Sequence, residues 1–275
     1  MIVTMHGLST MHCNCATEVR LAAETEYEGI EFLETKIFRY LEHFPASDLK
    51  ALLDKYKIQA RCINALKSVE RVGDDREDLL KECETLCAAA KVLECPVIQL
   101  VPFEGLEHLP YEESFELTCK NIADIADIGA KYGIRFQLEV IAWAPIHTLQ
   151  QGLDVIDRVG KDNVGMVVDF WHLYAGEGTT PDDVAKLDKN IITGVHFCDG
   201  VKIPRDKPWT STTELDCRGY LAGEGEIPVK EWCDAVKSTG FDGTWSSELL
   251  SSKHWEWDLW DVARKTRDQM LEYGS

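Results

Sequence analysis

Four side chains in the second half of the sequence have types and positions that suit one divalent metal ion. Glu139 follows IRFQL, Asp169 closes VGMVVD, His196 sits in ITGVHF and Glu248 follows TWSS. A short, mostly apolar run reads as a buried strand. A βα-barrel builds its site by delivering polar side chains at the C-terminal ends of such strands. Three carboxylates and one imidazole form an oxygen-rich donor set. It favours Mn²⁺ first, with Mg²⁺ or Co²⁺ close behind, and Zn²⁺ less without thiolates. Taken singly, a strand-end carboxylate is a solvated loop residue or a helix cap, and a lone barrel histidine is a hydrogen-bonded core residue. These four recur at equivalent positions of four successive strands. Burying three carboxylates together without a cation is costly, and a metal resolves that cost.

Positioning four such ends requires a full set of strand–helix units, and the chain supplies eight. Strands are expected at Ile2–Met5 ending on His6, Gly29–Thr35, Ile58–Leu66, Pro96–Pro102, Ile134–Val140, the two runs ending near Asp169 and His196, and Thr244–Leu250. In the fifth, Ile134, Phe136 and Leu138 take one face and Arg135, Gln137 and Glu139 the other. In the second, Ile30, Phe32 and Leu33 alternate only imperfectly with acids. Helices are expected between them. One runs from about Cys13 to Tyr27, and one from Pro45 to Tyr56 with Ser47 as N-cap. A third, Asp74–Leu93, has Leu79, Cys83, Leu86, Cys87 and Ala90 on one face. Tyr111–Tyr132 is closed by Gly133, and Thr148–Val159 by Gly160. Pro181–Asp188, Pro228–Gly240 and Trp257–Tyr273 complete the set. No linker or low-complexity tract divides them. The pattern predicts one α/β domain over residues 1–275, a single (β/α)8 TIM barrel. A doubly wound sheet would carry a glycine-rich phosphate loop after strand one, and MHGLSTMHCN has no GxGxxG.

Bulk properties narrow the function. A net charge of −19 argues against nucleic acid, whose binding is driven by Lys and Arg. No apolar run reaches the roughly 20 residues of a membrane span, and MIVTMHGLST lacks the basic and apolar regions of a signal peptide. The ten cysteines lie singly along expected helices and strands, without paired CxxC spacing. They are read as reduced, buried thiols of a cytoplasmic protein.

Several longer motifs carry a resemblance. LEV (Leu138–Val140), DNVGMVVDFWH (Asp162–His172), GVHFCD (Gly194–Asp199), GEGEIPVKEW (Gly223–Trp232) and SSELL (Ser246–Leu250) resemble the sugar phosphate isomerase/epimerase superfamily of xylose-isomerase-like barrels. Within it they are nearest the 2-keto-myo-inositol isomerases of inositol catabolism, and INAL in strand three agrees. The likeness is strong from Leu138 to Leu250 and weaker before Ile58. It implies that Glu139, Asp169, His196 and Glu248 bind one divalent metal, that His172 hydrogen-bonds a substrate oxygen, and that Arg218 holds a further hydroxyl or carbonyl. The family's Pro-Gly-x-Gly turn is altered here, with Ala222 in the proline's place. The preceding segment is long, which makes Arg205 a rival for the arginine role.

The chemistry that follows is metal-stabilised enediolate formation on a ketosugar or keto-cyclitol, with Glu139 and Glu248 removing and returning the proton. Isomerase or epimerase is the main reading. A lyase or dehydratase acting on a keto-sugar or 3-keto-glycoside is the alternative, and a non-catalytic sugar-binding barrel subunit a further one. A DNA-repair endonuclease on this barrel would need extra histidines where Asn64 and Gln99 stand. Other polar groups fill the mouth. His6 is a candidate for substrate or proton transfer, with His12 in the same loop. Asn64 and Gln99 are candidates for binding hydroxyls, and Trp143, Trp171 and Trp209 for walling a sugar. His147 is assigned to the start of the next helix. WEWDLW (Trp255–Trp260) reads as packing or as a contact in a homo-oligomer or with a partner subunit.

Overall fold

The computed structural model describes residues 1–102, 108–176, 178–204 and 211–275. Eight strands close a barrel in chain order: β1 (Ile2–His6), β2 (Gly29–Leu33), β3 (Gln59–Lys67), β4 (Val97–Val101), β5 (Arg135–Leu138), β6 (Val164–Asp169), β7 (Ile192–Phe197) and β8 (Thr244–Ser247). Every neighbouring pair is parallel, and Val3 opposite Trp245 and Met5 opposite Ser247 join the last strand to the first. This is the (β/α)8 barrel that the strand–helix pattern predicts.

Helices fill the crossovers. α1 (Cys15–Glu24) follows β1; α2 (Glu34–Leu41) and α3 (Ala46–Tyr56) follow β2; α4 (Gly73–Leu93) follows β3; and α5 (Tyr111–Ala130) follows β4. α6 (Leu149–Val159) follows β5, and α7 (Phe170–Ala175) and α8 (Pro181–Val184) follow β6. α9 (Ser211–Cys217) and α10 (Val229–Ser238) follow β7, while α11 (Ser252–Trp255) and α12 (Leu259–Gly274) follow β8. The short helices α2, α7, α9 and α11 were not expected, because so few residues cannot establish a helical period. Several boundaries also differ, among them the end of strand two, which stops at Leu33 where α2 begins rather than at Thr35. Pro45, not Ser47, caps α3, and α8 stops at Val184 rather than Asp188.

Local chemistry explains the better-defined helices. Asn14 caps α1 by accepting from Thr17 N. Thr148 and Gln151 form a capping box on α6, which ends where Gly160 takes the left-handed conformation at φ 61°. Most apolar side chains of the strands pack under the helices in one large core, while Ala65 and Val101 join a smaller cluster with Ile141 and Ala144. Phe136 on β5 reaches α5 at Gly129, where an added Cβ would lie 2.3 Å from the ring. Burying such a side chain is worth about 1.5–3 kcal/mol.

All ten cysteines are free and buried, as expected. Burial pushes the Cys15 thiol up to about 12, which suppresses thiolate chemistry there. Among the described residues no helix is long and apolar enough to cross a membrane.

Candidate metal centre

Glu139, Asp169, His196 and Glu248 meet at the C-terminal mouth of the barrel. All are buried, and one potential ligand atom from each lies within 4.8 Å of the others. His196 Nδ1 is 2.9 Å from Glu139 Oε1, 3.2 Å from Asp169 Oδ2 and 3.3 Å from Glu248 Oε2. Strand register sets this up: Asp169 lies directly beside His196 across β6 and β7. Glu139 and Glu248 each stand one residue past their strands. Their backbone N–H groups still donate to Leu100 O at 2.9 Å and Phe197 O at 3.0 Å, so the ladder fixes their positions. Asp169 also caps α7. Its Oδ1 accepts from His172 N at 2.6 Å, which leaves Oδ2 facing His196.

Three buried carboxylates demand positive charge, and Arg218 supplies part of it. Its Nη2 donates to Asp169 Oδ2 at 3.1 Å and to Glu248 Oε2, and its Nη1 donates to Glu214 Oε1 at 2.9 Å. The guanidinium lies 5.1 Å from the centre of the Trp171 ring. Nη1 is also 2.9 Å from His172 Nε2. Among the described residues Arg218 Nε is buried without a hydrogen-bond acceptor.

The environment splits the carboxyls. Burial raises Glu139 and outweighs the attraction of His196. At Glu248 burial is overcome by Arg218, His196 and His6, and the carboxyl is held well below its ordinary range. Asp169 is likewise lowered, as Arg218 and His172 outweigh its burial. At His196 the neighbouring Glu248 and Glu31 outweigh burial and hold the imidazole well above the usual histidine range. Hard oxygen donors, one imidazole and net negative charge fit a divalent cation, with Glu139, Asp169, His196 and Glu248 as its holders.

The remaining candidates divide. His6 is buried beside the cluster, its ring edge-on to His196 at 5.0 Å. Its Nε2 is 3.6 Å from both Glu31 Oε1 and Glu248 Oε1. Asn64 Nδ2 lies 3.2 Å from His6 Nε2 and donates to Glu31 Oε1 at 3.2 Å. Gln99 serves a carboxylate rather than a sugar hydroxyl: its Nε2 donates to Glu139 Oε2 at 2.9 Å, while its Oε1 accepts from Gln137 Nε2 at 2.6 Å. Gly194 leaves Gln137 the room, since a Cβ there would lie 2.7 Å from Gln137 Oε1. Trp143 donates from Nε1 to Glu214 Oε2 at 2.7 Å. Trp171 is fully buried, packs against Arg218 and donates from Nε1 to Val201 O at 3.0 Å.

Others lie apart. His12 is exposed and sits edge-on to Trp255, outside the ligand cluster. His147 bonds Ala144 O ahead of α6, as expected. Within WEWDLW, Trp255 donates to Leu8 O and Trp260 to Glu24 Oε2, whereas Trp257 is 41% exposed. Arg205 and Trp209 fall outside the described residues.

Three site residues escaped the sequence reading. The alternation in strand two makes Glu31 one of several acids among apolar residues, yet it is buried at the barrel centre, 3.2 Å from His196 Nε2. Glu214 links Arg218 to Trp143 from a helix too short to show a period. Asp199, two residues past β7, accepts from the backbone N–H of Gly200, Gly223, Gly225 and Ile227. It holds the GEGE turn, so the turn forms with Ala222 in the proline's place. Gly225 is required, because a Cβ would sit 2.3 Å from Asp199 Oδ1. The nearby GVHFCD and GEGE motifs were the available signal for this partnership.

The fold and the ligand cluster together define a parallel βα-barrel with a candidate metal centre at its C-terminal mouth. The chain belongs to the xylose isomerase-like TIM barrel family, whose model matches residues 19–270. It is similar to an inosose isomerase of Halalkalibacterium halodurans, 24% identical over 255 residues that cover 90% of this chain and 88% of that protein. It is also similar to a 2-oxo-tetronate isomerase of Haemophilus influenzae, 27% identical over 183 residues that cover 61% of this chain and 67% of that protein. Its fold matches the crystal structure of the IOLI protein with a binding zinc atom at a TM-score of 0.90 and 21% identity, over 100% of this chain and 98% of that one. These findings agree with the resemblance carried by the motifs from Leu138 to Leu250.

Proposed function

We propose that the chain is a divalent-metal-dependent isomerase or epimerase of a ketosugar or keto-cyclitol, with 2-keto-myo-inositol as the first substrate to test. The observation that carries this reading is the convergence of Glu139, Asp169, His196 and Glu248, buried and within 4.8 Å of one another. The similarity to isomerases of inosose and 2-oxo-tetronate supports the substrate class. The donor set favours Mn²⁺. The zinc in the IOLI protein supports a divalent ion and makes Zn²⁺ its rival. Buried free thiols support a reducing compartment such as the cytoplasm.

When bound, the ion supplies Lewis acidity that makes the C–H beside the carbonyl easier to deprotonate. Glu248, kept ionised by Arg218, takes that proton. Glu139, raised by burial and held by the hydrogen bond from Gln99, delivers a proton of its own, so the two carboxyls end the turnover with their protonation exchanged. Delivery to the neighbouring carbon isomerises the substrate; delivery to the same carbon from the other face epimerises it. Arg218 Nε and His172 orient the substrate oxygens, and His6 and Asn64 line the opposite side. Trp143, fixed by Glu214, flanks the entrance.

The test is incubation with 2-keto-myo-inositol, ketohexoses and 3-keto-glycosides in D₂O with Mn²⁺. Deuterium entering one C–H together with an isomeric product is the expected result. Exchange followed by loss of water or of a substituent assigns the lyase reading instead. Absence of exchange with every compound overturns both.

A further inference from the structure

We propose that Glu31 is a positioning residue of the metal centre: its carboxylate accepts the Nε2–H of His196 and so turns Nδ1 toward Glu139, Asp169 and Glu248. This rests on the reading of that cluster as a metal site.

The two nitrogens of His196 face different partners. Nδ1 faces the three carboxylates of the cluster, and Nε2 lies 3.2 Å from Glu31 Oε1. An imidazole can bind a metal through Nδ1 only if the ring proton is on Nε2, and the acceptor on that side decides the tautomer. Glu31 is suited to decide it. The side chain is buried, and none of its partners among the described residues is a lysine or arginine. A buried carboxylate in that setting depends on its imidazole neighbours His196 and His6 and on the hydrogen bonds it accepts. Ser246 Oγ donates to Oε2 at 2.5 Å, and Asn64 Nδ2 donates to Oε1 at 3.2 Å. Those two bonds lock the side chain, and the remaining acceptor capacity of Oε1 points at His196. His6 is the competing partner, but its Nε2 stands farther off at 3.6 Å.

The position of Glu31 also separates it from the ligands. It is supplied by β2, beside His6 on β1, whereas the four ligands lie on or one residue past the ends of β5 to β8. Its Oε1 lies on the Nε2 side of the imidazole and cannot join an ion held at Nδ1. Glu31 thus serves the centre through His196 and not as a fifth ligand.

The experiment titrates Mn²⁺ alone into chelated wild type, Glu31→Gln and Glu31→Leu by calorimetry. Thermal melts of the chelated proteins and visible spectra of their Co²⁺ forms accompany it. Loss of such a partner weakens metal binding by roughly 10- to 100-fold. Glu31→Gln keeps an oxygen that can accept the Nε2–H and belongs at the lower end; Glu31→Leu belongs at the upper end, with an altered Co²⁺ spectrum. If Glu31→Leu does not fold, the isosteric Glu31→Gln decides alone. A folded variant with wild-type Kd and Co²⁺ spectrum overturns the role of Glu31 while leaving the metal site standing. Wild type that binds no Mn²⁺ overturns the metal site, and this proposal with it.

Discussion

The two halves of the barrel use inward polar residues differently. The ends of β5 to β8 deliver Glu139, Asp169, His196 and Glu248, whose ligand atoms face a common point. The strands β1 to β4 deliver His6, Glu31, Asn64 and Gln99, which contact those residues or one another. One half presents the donors, and the other holds Glu139 through Gln99 and His196 through Glu31. Four carboxylates and two imidazoles share one buried space because each has a named hydrogen-bond partner, which a half-satisfied network would lack. The division predicts that substitutions in β5 to β8 remove activity, whereas those in β1 to β4 weaken metal binding in a graded way.

The largest effect is expected at Glu248. Glu248→Gln keeps the shape but removes the proton acceptor, and kcat should fall by about 10²–10⁴-fold with weaker metal binding. Circular dichroism should report an unchanged fold. Full activity in this variant would remove Glu248 from the mechanism and break the contrast between the halves. An intermediate effect is expected at Gln99, which donates to Glu139 Oε2 from β4. Gln99→Leu frees that carboxylate to turn, and calorimetry should show metal affinity reduced by about 10- to 100-fold, with kcat at saturating metal largely kept. A loss of kcat as deep as that of Glu248→Gln would show that the supporting half takes part in the chemistry directly.

The mildest effect is on pH dependence. Burial favours neutral His196, but Glu248 and Glu31 outweigh it and hold the ring protonated above the ordinary histidine range. Binding an ion at Nδ1 must displace that proton. Affinity should therefore rise with pH, by at most about tenfold per unit, with proton release seen as a buffer-dependent binding enthalpy. Stability of the chelated protein moves the other way. The folded-state value is raised, so the contribution of His196 is fully present below about 6.5 and fades as pH climbs through the raised value. Metal affinity that is flat with pH would contradict this placement of His196.

The sequence displayed one half of the site better than the other, and the reason is physical. Glu139, Asp169 and His196 close mostly apolar strands and Glu248 follows TWSS at the equivalent place, so position at the strand end marked all four. Glu31 lies in the middle of β2, where a buried acid and a solvent-facing acid leave the same alternation. Its role depends on His196, which lies 165 residues away in the chain. Gln99 was noticed as polar, but its partner could not be, because a lumen contact between β4 and β5 carries no local signature. The barrel itself was legible because eight strand–helix alternations admit few closures. The helices α2, α7 and α9 were not, although α7 starts on the ligand Asp169 and α9 carries Glu214.

The central claim is that the ends of β5 to β8 hold one divalent ion. Anomalous diffraction from crystals grown with Mn²⁺ tests it most directly. The account predicts a single strong peak per chain at about 2.0–2.3 Å from Glu139, Asp169, His196 Nδ1 and Glu248. No peak there, or one coordinated by other residues, would contradict it.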